Sequence, residues 1–207
     1  MTASQLTPEE EARHKAKMAK RKAVQDAEVA SKTITEKGLL IVHTGSGKGK
    51  STAAFGLIMR ALGYDWPVGV VQYVKGAWET GERKVLARFP DLVQWYSMGE
   101  GFTWETQDKA RDIAAATRAW EKTKELMADP SIRLLVLDEL NIALRYEFLP
   151  LDEVVATLAT RRPDLHIVVT GRNAKPELID IADLVTEMTL VKHHFAAGVK
   201  AQVGIEF

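Results

Sequence analysis

The sequence of 207 residues contains no cysteine, no excess of charge of either sign and no long apolar run. Without cysteine the chain cannot form disulfides, bind a metal through thiolates or use a cysteine nucleophile. Basic and acidic residues number 28 each, so the overall charge indicates neither nucleic acid nor membrane as a partner. No run approaches the roughly 20 apolar residues that span a bilayer, and the N-terminus lacks the apolar core of a signal peptide. We therefore expect a soluble, cytoplasmic protein.

Residues 1–37 differ in composition from the rest and form a separate N-terminal arm. Thr7, Pro8 and the glutamates 9–11 are typical of a capped helix start, and alanines recur behind them at helical spacing. Lysines and arginines make the other face basic. The arm is either solvated and partly disordered, or it folds over the active site or a partner when ligand binds. The acidic residues disfavour a transit peptide.

From residue 38 to residue 207, strand-like and helix-like segments alternate. The predicted strands cover residues 38–43, 68–74, 92–97, 134–139, 166–171 and 184–191, with a further strand over 199–207. The predicted helices cover residues 52–62, 81–89, 105–128, 151–160 and 175–182. Strands that alternate with crossover helices predict an α/β domain, with a mainly parallel sheet and helices on both faces.

Residues 43–52, HTGSGKGKST, stand between the first predicted strand and the first helix of this domain. Free backbone N–H groups in a glycine-rich turn and the positive end of the helix dipole together form a cradle for anions. Lys50 adds a positive charge, and the Ser51 hydroxyl can reach Mg²⁺. A flexible surface turn is the alternative, which the three glycines and the strand-turn-helix setting disfavour. The segment therefore predicts a triphosphate site.

The glycine-rich segment departs from the usual nucleotide loop in one position. The pattern G-x-x-x-x-G-K-[ST] requires glycine at position 44, and this chain has Thr44 there. Gly45 and Gly47 lie inside the loop instead, together with an additional cation, Lys48. The nucleotide need not lie in this loop as it does in most others.

Charged residues follow two of the later strands. Asp138 and Glu139 end one strand, and Arg172 follows the next. The carboxyl ends of parallel strands face the ligand crevice, at the edge that carries the glycine-rich turn. A carboxylate there can hold Mg²⁺ directly or through water. A carboxylate ends many strands by chance, but the loop upstream favours a metal site; Arg172 either clamps a phosphate or ribose or is a surface arginine.

An aromatic pair, Phe102 and Trp104, stands in the glycine-flanked segment 99–106. Both rings either cap the core or are presented to a large flat apolar ligand. The segment 75–83, with Trp78, is a similar loop after another strand. Two aromatic loops above one crevice indicate a second substrate beside the nucleotide.

Six segments occur in an order that matches a known family: TGSGKGKSTAAFG, VGVVQYVKGAW followed by GER, GFTWET, VLDELN, TGR and VKHHFAAGVKAQVGIEF. Over residues 38–207 the chain resembles the P-loop ATP:corrinoid adenosyltransferases of the cobalamin pathway, also named cob(I)yrinic acid a,c-diamide adenosyltransferases. The resemblance implies a P-loop NTPase-like (RecA-like) α/β fold. It also implies that Co(I) of a reduced corrinoid attacks the 5′ carbon of ATP and releases triphosphate.

The resemblance implies a role for each candidate site residue. Nucleotide binding falls to Thr44, Gly45, Ser46, Gly47, Lys48, Gly49, Lys50, Ser51, Thr52 and Arg172. Lys50 would neutralise the triphosphate, which lies reversed relative to most P-loop enzymes. Ser51 and Glu139, with Asp138, would hold the Mg²⁺ of MgATP. Phe102 and Trp104 would press on the lower face of the corrin and displace its axial base.

The resemblance also implies partners. These are ATP, a reduced corrinoid (cobyrinic acid a,c-diamide, cobinamide or cobalamin), a reductant protein such as a flavoprotein, and a second copy of the chain in a homodimer. A corrinoid needs cover from water, which favours residues 1–37 as a lid. Two alternatives compete: a P-loop ATPase or kinase, for which no residue that positions water or a hydroxyl is evident, and a nucleic-acid-binding module that uses the basic arm. The neutral overall charge disfavours the second.

Overall fold

The structure is a computed structural model, and it describes residues 7–74, 80–99 and 108–206. The chain divides after Glu36 into two compact units. The first contains one helix, α1 (Pro8–Ala30), none of whose residues is buried. Its start is the predicted capping box: the Glu10 backbone N–H donates to Thr7 Oγ1 at 3.3 Å, and the Thr7 N–H donates to the Glu10 carboxylate at 2.8 Å. The arm is helical over Pro8–Ala30, and its role stays a prediction.

The second unit alternates strands and helices along the chain. The strands are β1 (Leu40–Thr44), β2 (Val68–Gln72), β3 (Val93–Ser97), β4 (Leu134–Asp138), β5 (His166–Thr170) and β6 (Leu184–Glu187). The helices are α2 (Lys50–Leu62), α3 (Gly81–Leu86), α4 (Lys109–Ala128), α5 (Leu140–Arg145), α6 (Leu151–Ala159) and α7 (Pro176–Ile181), followed by a 3₁₀ turn (His194–Ala197).

The strands form one sheet in the order β3-β2-β4-β5-β1-β6, and all neighbouring pairs are parallel. Four of them, β1, β2, β4 and β5, are almost continuously buried, as their apolar runs predicted. The sheet confirms the α/β fold with a parallel sheet. Because β1 lies beside β5 and near β4, the loop after β1 emerges where β4 and β5 end.

Helices cover both faces of the sheet. On one face Val42, Leu137 and Val169 pack with residues of α4 to α7, including the fully buried Trp120. On the other face the alternate strand residues pack against α2, for example Val136 against Ile58. The two-residue alternation of strand side chains divides the core into these two layers.

Two expectations about the chain's later segments are wrong. The predicted strand over 199–207 is not formed: its described residues, through 206, are irregular or in turns, because Gly198 (φ 80°) and Gly204 (φ 79°) interrupt extended backbone. Strand β6 ends at Glu187, not at 191, because the backbone of Met188 turns to bond the glycine-rich loop. Helix α5 was not anticipated from the sequence.

Helix α4 begins at Lys109, and the earlier part of its predicted span, residues 105–107, lies outside the described residues. Within the described ranges, none of the helices combines the length and the apolar composition needed to cross a membrane.

Candidate nucleotide and metal site

The glycine-rich loop is shaped by backbone contacts with the segment that follows β6. Gly47 N–H donates to Met188 O at 2.6 Å, and Met188 N–H donates to Thr44 O at 2.9 Å. A Cβ on Gly47 would lie 2.6 Å from Thr189 O, so only glycine fits there. Gly49 has φ 104° and precedes α2, a conformation that favours glycine. These contacts explain why the loop needs its glycines.

Lys50 is a buried cation at the first position of α2, with 8% of its surface exposed. Its Nζ donates to Gly45 O at 3.0 Å and also to Gly47 O. Burial lowers the pKa of Lys50; Glu139 acts in the opposite direction, while Arg172 and Lys48 lower it further. The loop thus holds a partly dehydrated positive charge at its centre.

Asp138, at the end of β4, joins the loop helix to the middle of the sheet. The carboxylate is fully buried, and its Oδ1 accepts hydrogen bonds from Ser51 Oγ at 2.7 Å and from Thr170 Oγ1 at 2.8 Å. Its Oδ2 accepts from Gln72 Nε2 at 3.0 Å. The structure brings Ser51 and Asp138 together, although they are 87 positions apart in sequence.

Glu139 follows Asp138 in a left-handed conformation, with φ 64°. Its backbone N–H donates to Thr170 Oγ1 at 2.9 Å, and its side chain is only partly buried. Gly171, with φ 126°, leaves room for it, because a Cβ there would lie 3.1 Å from the Glu139 carboxylate. The strained turn therefore places the Glu139 carboxylate close enough to Lys50 to affect the pKa of that lysine.

Thr44, the residue that departs from the usual loop pattern, binds the turn after β5. Its Oγ1 accepts a hydrogen bond from Ala174 N–H at 3.0 Å, and its side chain is buried. Arg172 lies in that same turn, is exposed, and is near enough to Lys50 to lower the pKa of the lysine. Thr44 therefore fixes the turn that carries Arg172.

The remaining predicted residues divide into two groups. Ser46, Lys48 and Thr52 are exposed on the loop and the first turn of α2. Phe102 and Trp104, like Trp78, lie outside the described residues, and the roles predicted for them stay predictions.

The C-terminal segment contributes a contact that sequence reasoning missed. Glu206 Oε2 lies 2.7 Å from Lys48 Nζ, and Glu206 Oε1 lies 2.9 Å from His194 Nε2. The hydrogen bond from Lys48 lowers the pKa of Glu206. No local pattern could reveal this pairing, because it joins positions 158 apart. Gln72 was also missed, although a polar residue that ends an apolar strand was a usable signal.

The donor set fits Mg²⁺. Among the described residues, no group of three histidines or carboxylates could hold a metal by itself. Ser51 and Glu139 instead offer one hydroxyl and one carboxylate beside an anion-binding loop, whereas the Asp138 oxygens already accept hydrogen bonds from Ser51, Thr170 and Gln72. Mg²⁺ is commonly bound in this way, by one or two carboxylates together with substrate phosphates and water.

The sheet is parallel, and a glycine-lined loop joins β1 to α2. Lys50 and Ser51, at the start of α2, lie near the Asp138-Glu139 pair at the end of β4. These features define a P-loop nucleotide-binding protein. Comparison with known proteins gives the family. Residues 36–207 match the family model described as ATP:corrinoid adenosyltransferase BtuR/CobO/CobP. Residues 1–29 match the model described as Cob(I)alamin adenosyltransferase N terminal.

Curated relatives agree. The chain is 56% identical to a corrinoid adenosyltransferase of Sinorhizobium sp, over 96% of this chain and 93% of that protein. It is 54% identical to one from Pseudomonas aeruginosa, over 97% and 98%. It is 47% identical to the corrinoid adenosyltransferase CobA of Salmonella typhimurium, over 88% and 91%. The chain belongs to the ATP:corrinoid adenosyltransferase family. It is an enzyme of cobalamin biosynthesis that adenosylates a corrinoid with ATP.

Proposed function

We propose that the loop of residues 44–52 binds MgATP so that Co(I) of a reduced corrinoid attacks the 5′ carbon and triphosphate leaves. The observation that carries this proposal is the convergence of Lys50, Ser51 and Glu139 at one end of the sheet. The leaving triphosphate gains negative charge in the transition state. Fixed positive charge, loop N–H groups and a metal stabilise that charge without the transfer of a proton.

Within this site Lys50 neutralises the triphosphate. Its ammonium is held by carbonyl groups of the loop itself, so the charge is already in place when the nucleotide binds. Arg172, on the turn fixed by Thr44, is the candidate for a second contact with the nucleotide. Preorganised charge of this kind needs no rearrangement at the moment of reaction.

Mg²⁺ is assigned to Ser51 and Glu139, together with phosphate oxygens. Asp138 acts through Ser51: its oxygens already accept hydrogen bonds from Ser51, Thr170 and Gln72, and it is fully buried. Because Asp138 accepts the hydrogen bond of the Ser51 hydroxyl, the lone pairs of that hydroxyl would be left for the metal. When bound, Mg²⁺ supplies positive charge to the departing phosphates.

The corrinoid side of the reaction is assigned to Phe102 and Trp104. Rings pressed on the lower face of the corrin would displace the axial base, and four-coordinate cobalt is easier to reduce. Residues 1–37 are proposed to cover the corrinoid. Two observations support that role: α1 is a helix with a basic face, and residues 1–29 match a family model for an N-terminal region.

Two further partners are proposed. The electron donor is proposed to be a reductant protein such as a flavoprotein. A homodimer is supported by exposed apolar side chains on edge strand β6 and beyond, at Leu184, Val185, Val191 and Phe195. The cytoplasmic location stays a prediction.

One experiment tests the proposed reaction. The protein is incubated anaerobically with MgATP and chemically reduced corrinoid, and the products are followed by absorbance and phosphate analysis. We expect a light-sensitive cobalt–carbon product and one triphosphate for each adenosyl group transferred. Release of inorganic phosphate without a corrinoid would instead support an ATPase or kinase.

A further inference from the structure

A row of polar residues crosses the sheet beneath the first turn of α2. Its members each end a strand or stand next to its last residue, and they are Ser97, Gln72, Asp138, Thr170, His43 and Thr186. The strand registers place Gln72 beside both Ser97 and Asp138, and His43 beside Thr170 and Thr186. In four strands the residue two positions earlier is in the core layer against α2. By the two-residue period, these polar side chains face the same helix.

Within this row a chain of hydrogen bonds runs from β3 to Asp138. Trp95 Nε1 donates to Ser97 Oγ at 3.0 Å, and Ser97 Oγ donates to Gln72 Oε1 at 2.9 Å. Gln72 Nε2 then donates to Asp138 Oδ2 at 3.0 Å. An indole can only donate and an ionised carboxylate can only accept, so the chain has one direction and the orientation of the Gln72 amide is fixed.

The two carboxylate oxygens of Asp138 have different partners. Oδ1 accepts from Ser51 and Thr170, whereas Oδ2 accepts from Gln72. A carboxylate held at both oxygens cannot rotate about its Cβ–Cγ bond without breaking hydrogen bonds. Without Gln72, its hydrogen bond to Oδ2 would be lost, and the carboxylate would be freer to rotate and misalign the hydrogen bond from Ser51.

We propose that Gln72 is a positioning residue for the metal site: it orients Asp138, and Asp138 orients the hydroxyl of Ser51 toward Mg²⁺. Ser97 and Trp95 in turn fix the amide of Gln72, so the orientation depends on edge strand β3. Partners of this kind align a metal ligand without contacting the ion. The inference rests on the proposed Mg²⁺ role of Ser51.

The test measures how strongly Mg²⁺ promotes ATP binding to the full-length protein. ATP affinity is determined by titration calorimetry in Mg²⁺ and in EDTA, and the ratio of the two gives the Mg²⁺ enhancement. Gln72→Met keeps the length of the side chain but removes both hydrogen bonds. We expect it to reduce the Mg²⁺ enhancement about tenfold, while the affinity in EDTA changes less than about twofold.

The matched control is Gln94→Met on β3. Gln94 accepts a hydrogen bond from Tyr96 OH at 3.2 Å and stands at the other end of the strand from Ser97. It should leave the Mg²⁺ enhancement unchanged. Thermal unfolding of each variant shows whether it is folded. If Gln72→Met does not fold, Ser97→Ala replaces it, with an expected loss of about threefold.

Two results would overturn the proposal. One is a Mg²⁺ enhancement in the folded variant within twofold of wild type. The other is an equal loss of ATP affinity in Mg²⁺ and in EDTA, which would show that Gln72 supports the loop and not the metal. Failure of the proposed Mg²⁺ site, on which the inference rests, is distinguishable, because wild-type protein itself would then show no Mg²⁺-dependent ATP binding; failure of the proposed reaction would show separately, as phosphate release without adenosyl transfer.

Discussion

At the scale of single residues, the site is built from polar groups whose partners come from distant parts of the chain. Lys50 and Ser51 are adjacent in sequence, but the lysine bonds the loop and the serine bonds Asp138 on another strand. The tasks proposed for them are therefore separate, one of charge and one of metal binding. A substitution at either residue removes one task, which makes the two separable by experiment.

Lys50→Ala should lower the turnover of adenosyl transfer by about 10²- to 10³-fold. The triphosphate would lose its fixed counter-charge, and the loop carbonyls of Gly45 and Gly47 would lose their donor. The rate is measured anaerobically with saturating MgATP and reduced corrinoid. Lys124→Ala, which removes an exposed ion pair with Glu121 on α4, is the control and should leave the rate unchanged. Near-normal turnover of Lys50→Ala would contradict the loop assignment.

His43 should make the fold sensitive to acid. It is 7% exposed, and neither ring nitrogen has a hydrogen-bond partner within the described part of the chain. Burial lowers the pKa of His43 below its ordinary value of 6.5. The unfolded chain therefore takes up the proton first as the pH falls. The stability is fully present above about pH 6.5 and decreases as the pH falls from there toward the lower pKa of the folded state.

His43→Leu should raise the free energy of unfolding by about 1 kcal/mol at pH 8, because it removes a buried polar group that has no hydrogen-bond partner among the described residues. It should also reduce the loss of stability between pH 8 and pH 5.5. Some loss should remain, because burial also lowers the pKa of His166. Urea unfolding at both pH values measures these changes. An unchanged pH dependence in the variant would show that His43 does not titrate with unfolding.

At the scale of elements, the strands and helices that the sequence predicted well are those whose structure is determined by neighbours in the sequence. The strands β1, β2, β4 and β5 are apolar runs between turn residues. An apolar run of this kind is enough to predict a strand that is buried on both faces of the sheet. Helix α5 was missed because it has six residues and follows Glu139 without a side-chain cap. The end of β6 and the path of the tail depend on Met188 and Glu206, whose partners lie in the loop. Contacts between residues that are far apart in the sequence leave no pattern in the sequence around either residue.

Two glycines near the site should respond in opposite directions to alanine. Gly56 in α2 has open space around it, so Gly56→Ala should stabilise the protein by about 0.5–1 kcal/mol through helix propensity. Gly47→Ala would place a Cβ 2.6 Å from Thr189 O and should distort the loop, with at least about tenfold weaker ATP binding. Thermal unfolding and calorimetry measure the two effects. Equal ATP affinity in Gly47→Ala and wild type would show that the loop does not need its close contact with the segment that follows β6.

At the scale of the whole molecule, the chemistry divides between two substrates that make different demands. The groups proposed to supply charge and metal ligands for ATP lie at the sheet edge, within Lys37–Phe207. Their assembly could be anticipated from the loop pattern and the Asp-Glu pair, because both end parallel strands of one sheet. A corrinoid is large and must be covered from water during transfer. That second demand is the one assigned to residues 1–37.

Removal of residues 1–36 tests whether the arm meets it. Because none of the α1 residues is buried, the unfolding temperature should change by less than about 2 °C. ATP binding should persist, whereas kcat/KM for the corrinoid should fall at least about tenfold, because water would reach the reacting cobalt. A full-length variant with Lys17, Lys20 and Arg21 changed to glutamine keeps the helix and separates its charge from its presence. Unaltered transfer by the shortened protein would show that α1 does not act as a lid.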